Sequence, residues 1–136
     1  MAKPIKIGTT AEEQVVVGRE HTIDFADEQM PAVLATPWLI WFLEHAARKA
    51  VLPSLELGES TVGTFVEIQH LAPTPVGQSV VCQAKVVQVD GPSVSFQLEA
   101  HDAHETVARG FHRLRIIRVD RFARRVQAKS RLEKPS

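Results

Sequence analysis

The sequence is poor in the features that mark several large classes of protein. Its only cysteine, Cys82, cannot form a disulfide within the chain, and a formal net charge of zero removes the usual electrostatic argument for nucleic-acid binding. No apolar run approaches the roughly 20 residues that cross a bilayer, and the N-terminal segment MAKPIKIGTT lacks the apolar region of a secretory signal. We therefore expect a cytoplasmic protein with neither a nucleic-acid nor a membrane partner.

Several motifs of catalysis are missing as well. The sequence contains no phosphate-cradling glycine loop, no nucleophile elbow and no CxxC element. His101 and His104 form an H-D-x-H tetrapeptide, but no further ligands converge on it in the sequence. We therefore predict no metal site and no bound cofactor.

The residues that are present favour one α+β domain. A chain of 136 residues, 44% of them hydrophobic, can bury a sizeable single core. Thr36-Pro37 is typical of a helix start, with Thr36 as N-cap, and the following apolar run predicts a helix over Trp38–Leu52. Alternating polarity and short turns predict antiparallel strands at Gln14–Val17, Val62–Leu71, Gln78–Val89, Ser93–His101 and Thr106–Val119. This order predicts an antiparallel sheet around one long central helix.

Glu44 is the most informative single residue, because it lies on an apolar helical stripe with Ile40 and Ala47. A buried carboxylate needs either a partner or a raised affinity for a proton, and the latter suits a general base. The structural alternative is a carboxylate that pairs with Arg48 one turn later or caps a backbone group. Thr36 begins the same stripe, where capping alone would explain it.

His70 ends a mostly apolar strand face that also carries Val62, Thr64, Val66 and Ile68. It is therefore expected to point toward the core or an interface. A lone inward histidine is more often a hydrogen-bonded core residue than a catalyst. Here it can instead meet the inward carboxylate of Glu44.

With these residues in view, the sequence resembles the hot-dog acyl-CoA thioesterases that include the fluoroacetyl-CoA-specific enzymes. The resemblance spans roughly residues 30–126. Its motifs here are Leu34-Ala-Thr36, Leu43-Glu44, Leu57-Gly-Glu-Ser-Thr-Val-Gly63-Thr64, His70-x-Ala-Pro-Thr-Pro-x-Gly77 and Ala100-His101-Asp102. The eight-residue interval from Thr36 to Glu44 and the 26-residue interval from Glu44 to His70 are the specific part.

The resemblance implies a thioester hydrolase in which Thr36, Glu44 and His70 form the catalytic set. It also implies that Gly63, with Thr64 beside it, contacts the thioester near a dimer interface. The aromatic lid of the fluoroacetyl-specific enzymes is replaced by Asp27 and Met30, so we expect Met30 to contact substrate without strong fluoroacetyl selectivity.

The family motif His-Glu-Arg on the last strand here corresponds to His112-Arg113-Leu114. The arginine contact therefore falls on a leucine. Arg113 and Arg115 are its possible substitutes, although both alternate to the other face of the strand. Arg113 is the one we include among the expected substrate contacts.

Assembly, domain limits and the tail complete the expectations. An exposed sheet edge and an apolar helix predict an isologous homodimer, with higher oligomers open. We assign residues 1–120 to the domain and 121–136 to a basic tail. The tail is interpreted first as a solvated or frayed segment and second as a clamp for coenzyme A phosphates.

The rival function is a non-catalytic acyl-CoA binding or sensing module; a hot-dog dehydratase fits the order of acid and histidine less well.

Overall fold

A five-stranded antiparallel sheet wraps around one long helix in the computed structural model, which describes residues 3–132. The elements in chain order are β1 (Thr10–Val16), α1 (Thr36–Val51), β2 (Glu59–His70), β3 (Ser79–Asp90), β4 (Ser93–His101), β5 (Thr106–Arg118) and α2 (Val119–Leu132). The strand order β1-β3-β4-β5-β2 leaves β1 and β2 at the two edges. The predicted α+β class is confirmed.

Helix α1 fills the concave side of the sheet because one broad face of it is apolar. The residues that this face buries are Leu39, Phe42, Leu43, Ala46, Ala47 and Val51. On the opposite side the Trp41 side chain remains 54% exposed, so the helix is not buried all round. Glu44 lies at the border between the two faces and is half-buried.

The start of α1 differs from the prediction in one respect. Ala35 is the N-cap, and no side chain caps the helix. Thr36 is the first helical residue and Pro37 the second. An N–H group this close to the helix start has no acceptor within the helix, so the N–H that proline lacks costs no helical hydrogen bond. The predicted capping role of Thr36 is therefore wrong, and its hydroxyl is available for another partner.

The four main predicted strands are present, with ends shifted by no more than three residues, and the N-terminal strand is longer than predicted. Strand β2 carries a bulge between Gly63 and Phe65, where its register with β5 shifts by one residue. Gly63 pairs with Leu114 before the bulge, and His70 pairs with Ala108 after it. Since directly paired residues share a face and both partners are buried, Gly63 and His70 both lie on the helix side of the sheet.

The basic tail forms helix α2 as far as Leu132, where the preferred expectation was a frayed segment. None of its residues is buried, which agrees with the solvated part of that expectation. The N–H of Val119 donates to the Gly58 carbonyl at 2.9 Å, so the helix begins beside the start of β2. Neither α1 nor α2, within residues 3–132, has the length and apolar character that a bilayer crossing requires.

Candidate active site

Thr36 and His70 meet where the start of α1 faces the end of β2. The Thr36 Oγ1 atom lies 2.8 Å from Nδ1 of His70, a hydrogen bond whose direction depends on the histidine tautomer. The two residues are 34 positions apart in sequence, so the fold alone brings them together. The resemblance placed both in the catalytic set, and the structure places them in contact.

The second ring nitrogen of His70 is without a partner. Nε2 is buried, and no atom of residues 3–132 meets hydrogen-bond geometry with it. Burial lowers the pKa of His70 below its ordinary value of 6.5, an effect that the Ala72 backbone opposes. A neutral histidine with one nitrogen bonded to Thr36 and no well-formed hydrogen bond at the other is suited to exchanging a proton with a bound substrate.

We expect the low pKa of His70 to set an acid limit on activity. The neutral ring is the working form, so kcat/KM should fall as pH drops through a midpoint below 6.5. The stability of the fold should also decrease as the pH drops through this range. His70 has the higher pKa in the unfolded chain, which therefore binds the proton more readily than the native chain does. A pH–rate profile with thermal melts at each pH measures both. A midpoint at or above pH 6.5 would contradict the assignment.

Glu44 opens into a separate cavity of about 290 Å³ at the β2 bulge. The cavity is lined by Glu44, Gly63, Thr64, Phe65, Val66 and His112. Within residues 3–132 the carboxylate makes no hydrogen bond or ion pair, so the structural alternative of a pair with Arg48 is not formed. An unpartnered, half-buried carboxylate at a cavity wall is available to a substrate or to water.

Gly63 allows the close approach of this carboxylate. A Cβ atom added at Gly63 would lie 2.9 Å from Oε2 of Glu44 and 3.3 Å from Cε1 of His112. Any side chain would therefore displace one of these two groups. The backbone of Gly63 is exposed in the cavity, where the resemblance expected a contact with the thioester.

His112 is the functional candidate that the sequence argument did not select. It is 2% exposed, and its Nδ1 lies 2.9 Å from the Phe65 carbonyl oxygen. Because a carbonyl only accepts, Nδ1 carries the proton and Nε2 of the neutral ring has a free lone pair. Burial lowers the pKa of His112, while the Phe65 carbonyl and the Glu44 carboxylate oppose that shift.

The structure does not bring every predicted residue to the cavity. Glu44 and His70 form no hydrogen bond or ion pair with each other. They belong to two clusters on one side of α1, Glu44 with Gly63 and His70 with Thr36. Met30 is 40% exposed in a loop where its N–H and that of Gln29 donate to Asp27.

Arg113 lies on the outer face of the sheet, as strand alternation indicated. Its guanidinium stacks over Phe65 and Phe111 at 5.6 and 5.8 Å from the ring centres. Its Nε donates to Ser95 Oγ at 3.3 Å. Thr64, by contrast, lines the cavity, and its hydroxyl donates to the Arg113 carbonyl oxygen at 3.1 Å.

Asp102 of the H-D-x-H tetrapeptide has a structural role. Its Oδ1 accepts hydrogen bonds from the N–H groups of His104 and Glu105, and its Oδ2 accepts one from the Thr74 hydroxyl. These bonds hold the β4–β5 turn against the loop that follows β2. No group of three or more potential metal ligands occurs within residues 3–132.

Comparison with known proteins decides the family. The profile of the fluoroacetyl-CoA-specific thioesterase family, FlK, matches residues 6–120. The chain belongs to this family. A fluoroacetyl-CoA thioesterase of Streptantibioticus cattleyicolor is 32% identical over 102 residues, which cover 75% of this chain and 73% of that protein.

Solved structures of this thioesterase family and its superfamily agree with the fold. A solved structure of the fluoroacetyl-CoA thioesterase FlK superposes with a TM-score of 0.85 at 29% identity, covering 98% of this chain and 100% of that chain. A Thermus thermophilus member of the thioesterase superfamily gives 0.84 at 31% identity, with 96% and 99% covered. The expected hot-dog fold and thioester hydrolase class are confirmed.

Proposed function

We propose that this thioesterase hydrolyses a small acyl-CoA to the free acid and CoA, with Thr36, Glu44 and His70 as its catalytic residues. The observation that carries the proposal is the unpartnered carboxylate of Glu44 at the wall of the cavity beside Gly63. CoA enters as part of the substrate and is not a cofactor. The proposed reaction uses side chains, backbone N–H groups and water, and it requires no metal. A binding or sensing module would need the pocket but not this carboxylate.

Glu44 brings about the attack of an oxygen atom on the thioester carbonyl carbon by one of two routes. As a general base it takes a proton from water, whose oxygen adds to the thioester carbonyl carbon as the C–S bond breaks. As a nucleophile it attacks that carbon itself and forms an anhydride, which water then hydrolyses. Both routes release a carboxylic acid and a CoA thiolate, and both require the carboxylate to be unprotonated.

Thr36 and His70 assist the protonation of the departing CoA sulfur. The departing thiolate takes up one proton, which the hydrogen-bonded pair of Thr36 hydroxyl and neutral His70 imidazole passes to it. The pair regains a proton from the attacking water, so neither side chain is left charged. The negative charge on the carbonyl oxygen is stabilised by backbone N–H groups near Gly63 or at the start of α1. There the N–H of Leu39 already donates to the Ala35 carbonyl, whereas those of Thr36 and Trp38 have no backbone acceptor among the described residues.

A panel of acyl-CoA substrates tests the function and its selectivity. We expect release of free CoA from short acyl-CoA thioesters, with a kcat/KM ratio of fluoroacetyl-CoA to acetyl-CoA well below ~1000, or about 4 kcal/mol. The reason is that Asp27 holds its own loop and the flexible side chain of Met30 replaces an aromatic lid residue. Folded protein that hydrolyses none of the panel would contradict the function, and a ratio above ~1000 would place selectivity elsewhere.

We also propose that the protein is an isologous homodimer joined at β2. This strand is an open edge of the sheet, and its Phe65 and Val66 side chains are 44% and 39% exposed beside the cavity. Sedimentation at micromolar concentration should show a dimer. Val66→Glu should shift the species toward monomer with a loss of activity, whereas Val16→Glu on β1, 60% exposed, should change neither. A fully active wild-type monomer would contradict the assembly.

A cytoplasmic location is part of the proposal. Burial raises the pKa of the Cys82 thiol to about 12, with a smaller contribution from Glu13. The lone cysteine is therefore an inert core residue of the kind that a reducing compartment leaves unpaired.

A further inference from the structure

A basic groove lies where β5 passes into α2. It has a volume of about 360 Å³ and is separate from the cavity at Glu44. Its walls combine four arginines with an apolar surface; the lining residues are Pro92, Arg115, Ile116, Ile117, Arg118, Arg121, Phe122 and Arg125. The Phe122 side chain is 40% exposed, so one aromatic ring is open to a ligand.

The positive charge of the groove is only partly compensated. Arg118 Nε lies 3.8 Å from an oxygen of Asp120, whose pKa is also lowered by Arg121, and Arg118 contributes to the lowered pKa of Glu59. Arg115, Arg121 and Arg125 have no carboxylate within 4 Å among residues 3–132. Clustered guanidinium groups that outnumber the nearby carboxylates favour an anion, and their planar donors match phosphate oxygens in particular.

The groove lies within reach of the candidate active site. In the ladder between β2 and β5, Gly63 pairs with Leu114 and Glu59 pairs with Arg118, an interval of four residues on each strand or about 13 Å. Arg118 shares its strand face with His112, on the alternation of β5. The pantetheine arm of CoA is about as long as four to five extended residues, roughly 15 Å.

Further positive charge lies between the two sites. A small cavity of about 110 Å³ joins Glu44 and Gly63 to Arg48 and Thr61, one turn further along α1 and two residues back along β2. Ile116, which pairs with Thr61, then lines the basic groove. The path from carboxylate to groove thus follows one side of the protein.

We infer that this groove binds the nucleotide end of coenzyme A, with Arg118, Arg121 and Arg125 on its phosphates and Phe122 against the adenine ring. Base stacking on an exposed aromatic ring is a common contact for nucleotides. The inference rests on the proposed thioesterase function and adds the residues that recognise the CoA half of the substrate. It gives the basic tail a role that its charge alone did not establish.

Binding of CoA itself tests the groove without relying on turnover. Calorimetry should show that Arg121→Gln/Arg125→Gln raises the Kd for CoA roughly 10- to 100-fold. The matched control is Arg124→Gln/Arg131→Gln, which removes two arginines of the same helix outside the groove lining, and it should change Kd less than about twofold. Thermal melts confirm folding, since α2 buries no residue. Equal weakening by both double variants, or by neither, would overturn the inference.

Substrates that lack the nucleotide show whether the groove recognises the nucleotide end of CoA. The ratio of kcat/KM for acetyl-CoA over acetyl-pantetheine should fall in the groove variant by the same factor as CoA affinity. Free 3′,5′-ADP should compete with CoA for the wild type and much less for the variant. An unchanged ratio would overturn the groove assignment alone. Binding of acetyl-CoA without hydrolysis would instead overturn the thioesterase function and leave the groove standing.

Discussion

Replacing Glu44 by glutamine should lower kcat on acetyl-CoA by roughly 10²–10⁴ while the protein stays folded. The amide keeps the size of the side chain but can neither accept a proton from water nor attack a carbonyl carbon. Because the carboxylate has no hydrogen bond or ion pair within residues 3–132, its replacement loses only the weaker electrostatic interaction with His112. The melting temperature should therefore hold or rise, which separates a catalytic role from a structural one.

Glu99 on β4 provides the matched control. Its side chain is exposed, and Glu99→Gln makes the same chemical change away from the cavity. This variant should retain wild-type turnover. Wild-type turnover in folded Glu44→Gln would remove Glu44 from the reaction and favour a non-catalytic acyl-CoA binding module.

Replacing His70 by alanine should also lower kcat by roughly 10²–10⁴, because the thiolate then leaves without a proton donor. Thr36→Ala should reproduce much of this loss, since the two side chains share the 2.8 Å hydrogen bond. Thr36→Ser keeps the hydroxyl and should be mild. No helix cap is lost in any Thr36 variant, so its melting temperature should change little.

Double variants show whether these residues act together. Thr36→Ala/His70→Ala should cost little more than His70→Ala, because either change breaks the same pair. We also expect Glu44→Gln/His70→Ala to cost little more than either single change, since residues of one catalytic unit are non-additive. Steady-state kinetics on the three proteins measures this. Losses that multiply would mean that Glu44 and His70 act in separate steps.

The elements of the fold were predictable because each has a strong local signal. Apolar spacing and Thr36-Pro37 mark the helix, and alternation with turn residues such as Asp90-Gly91-Pro92 marks the strands. The mutual position of the proposed catalytic residues was not predictable from sequence. Strict alternation puts Gly63 and His70 on opposite faces of β2, and only the bulge places both beside α1. The expected contact of His70 with Glu44 is replaced by its contact with Thr36.

Two further features depended on tertiary structure. His112 begins the segment that corresponds to the family motif on the last strand, but ordinary alternation gave it no role until Glu44 and Gly63 were seen around it. Helix α2 has apolar residues at helical spacing, but its charge made a frayed tail the simpler expectation. Its start is bonded to Gly58, a contact between distant parts of the chain.

The bulge in β2 also constrains how the sequence can change in length. Gly63 and His70 are separated by seven residues, an odd interval, so only one extra residue in the strand keeps them on the same face. Deleting Thr64 would restore strict alternation and turn one of the two to solvent. A second single-residue insertion would do the same, because it reverses the face of every residue after it. Substitutions along this stretch can therefore change the proposed active site in small steps. Inserting or deleting a single residue instead moves either Gly63 or His70 to the other face of the sheet.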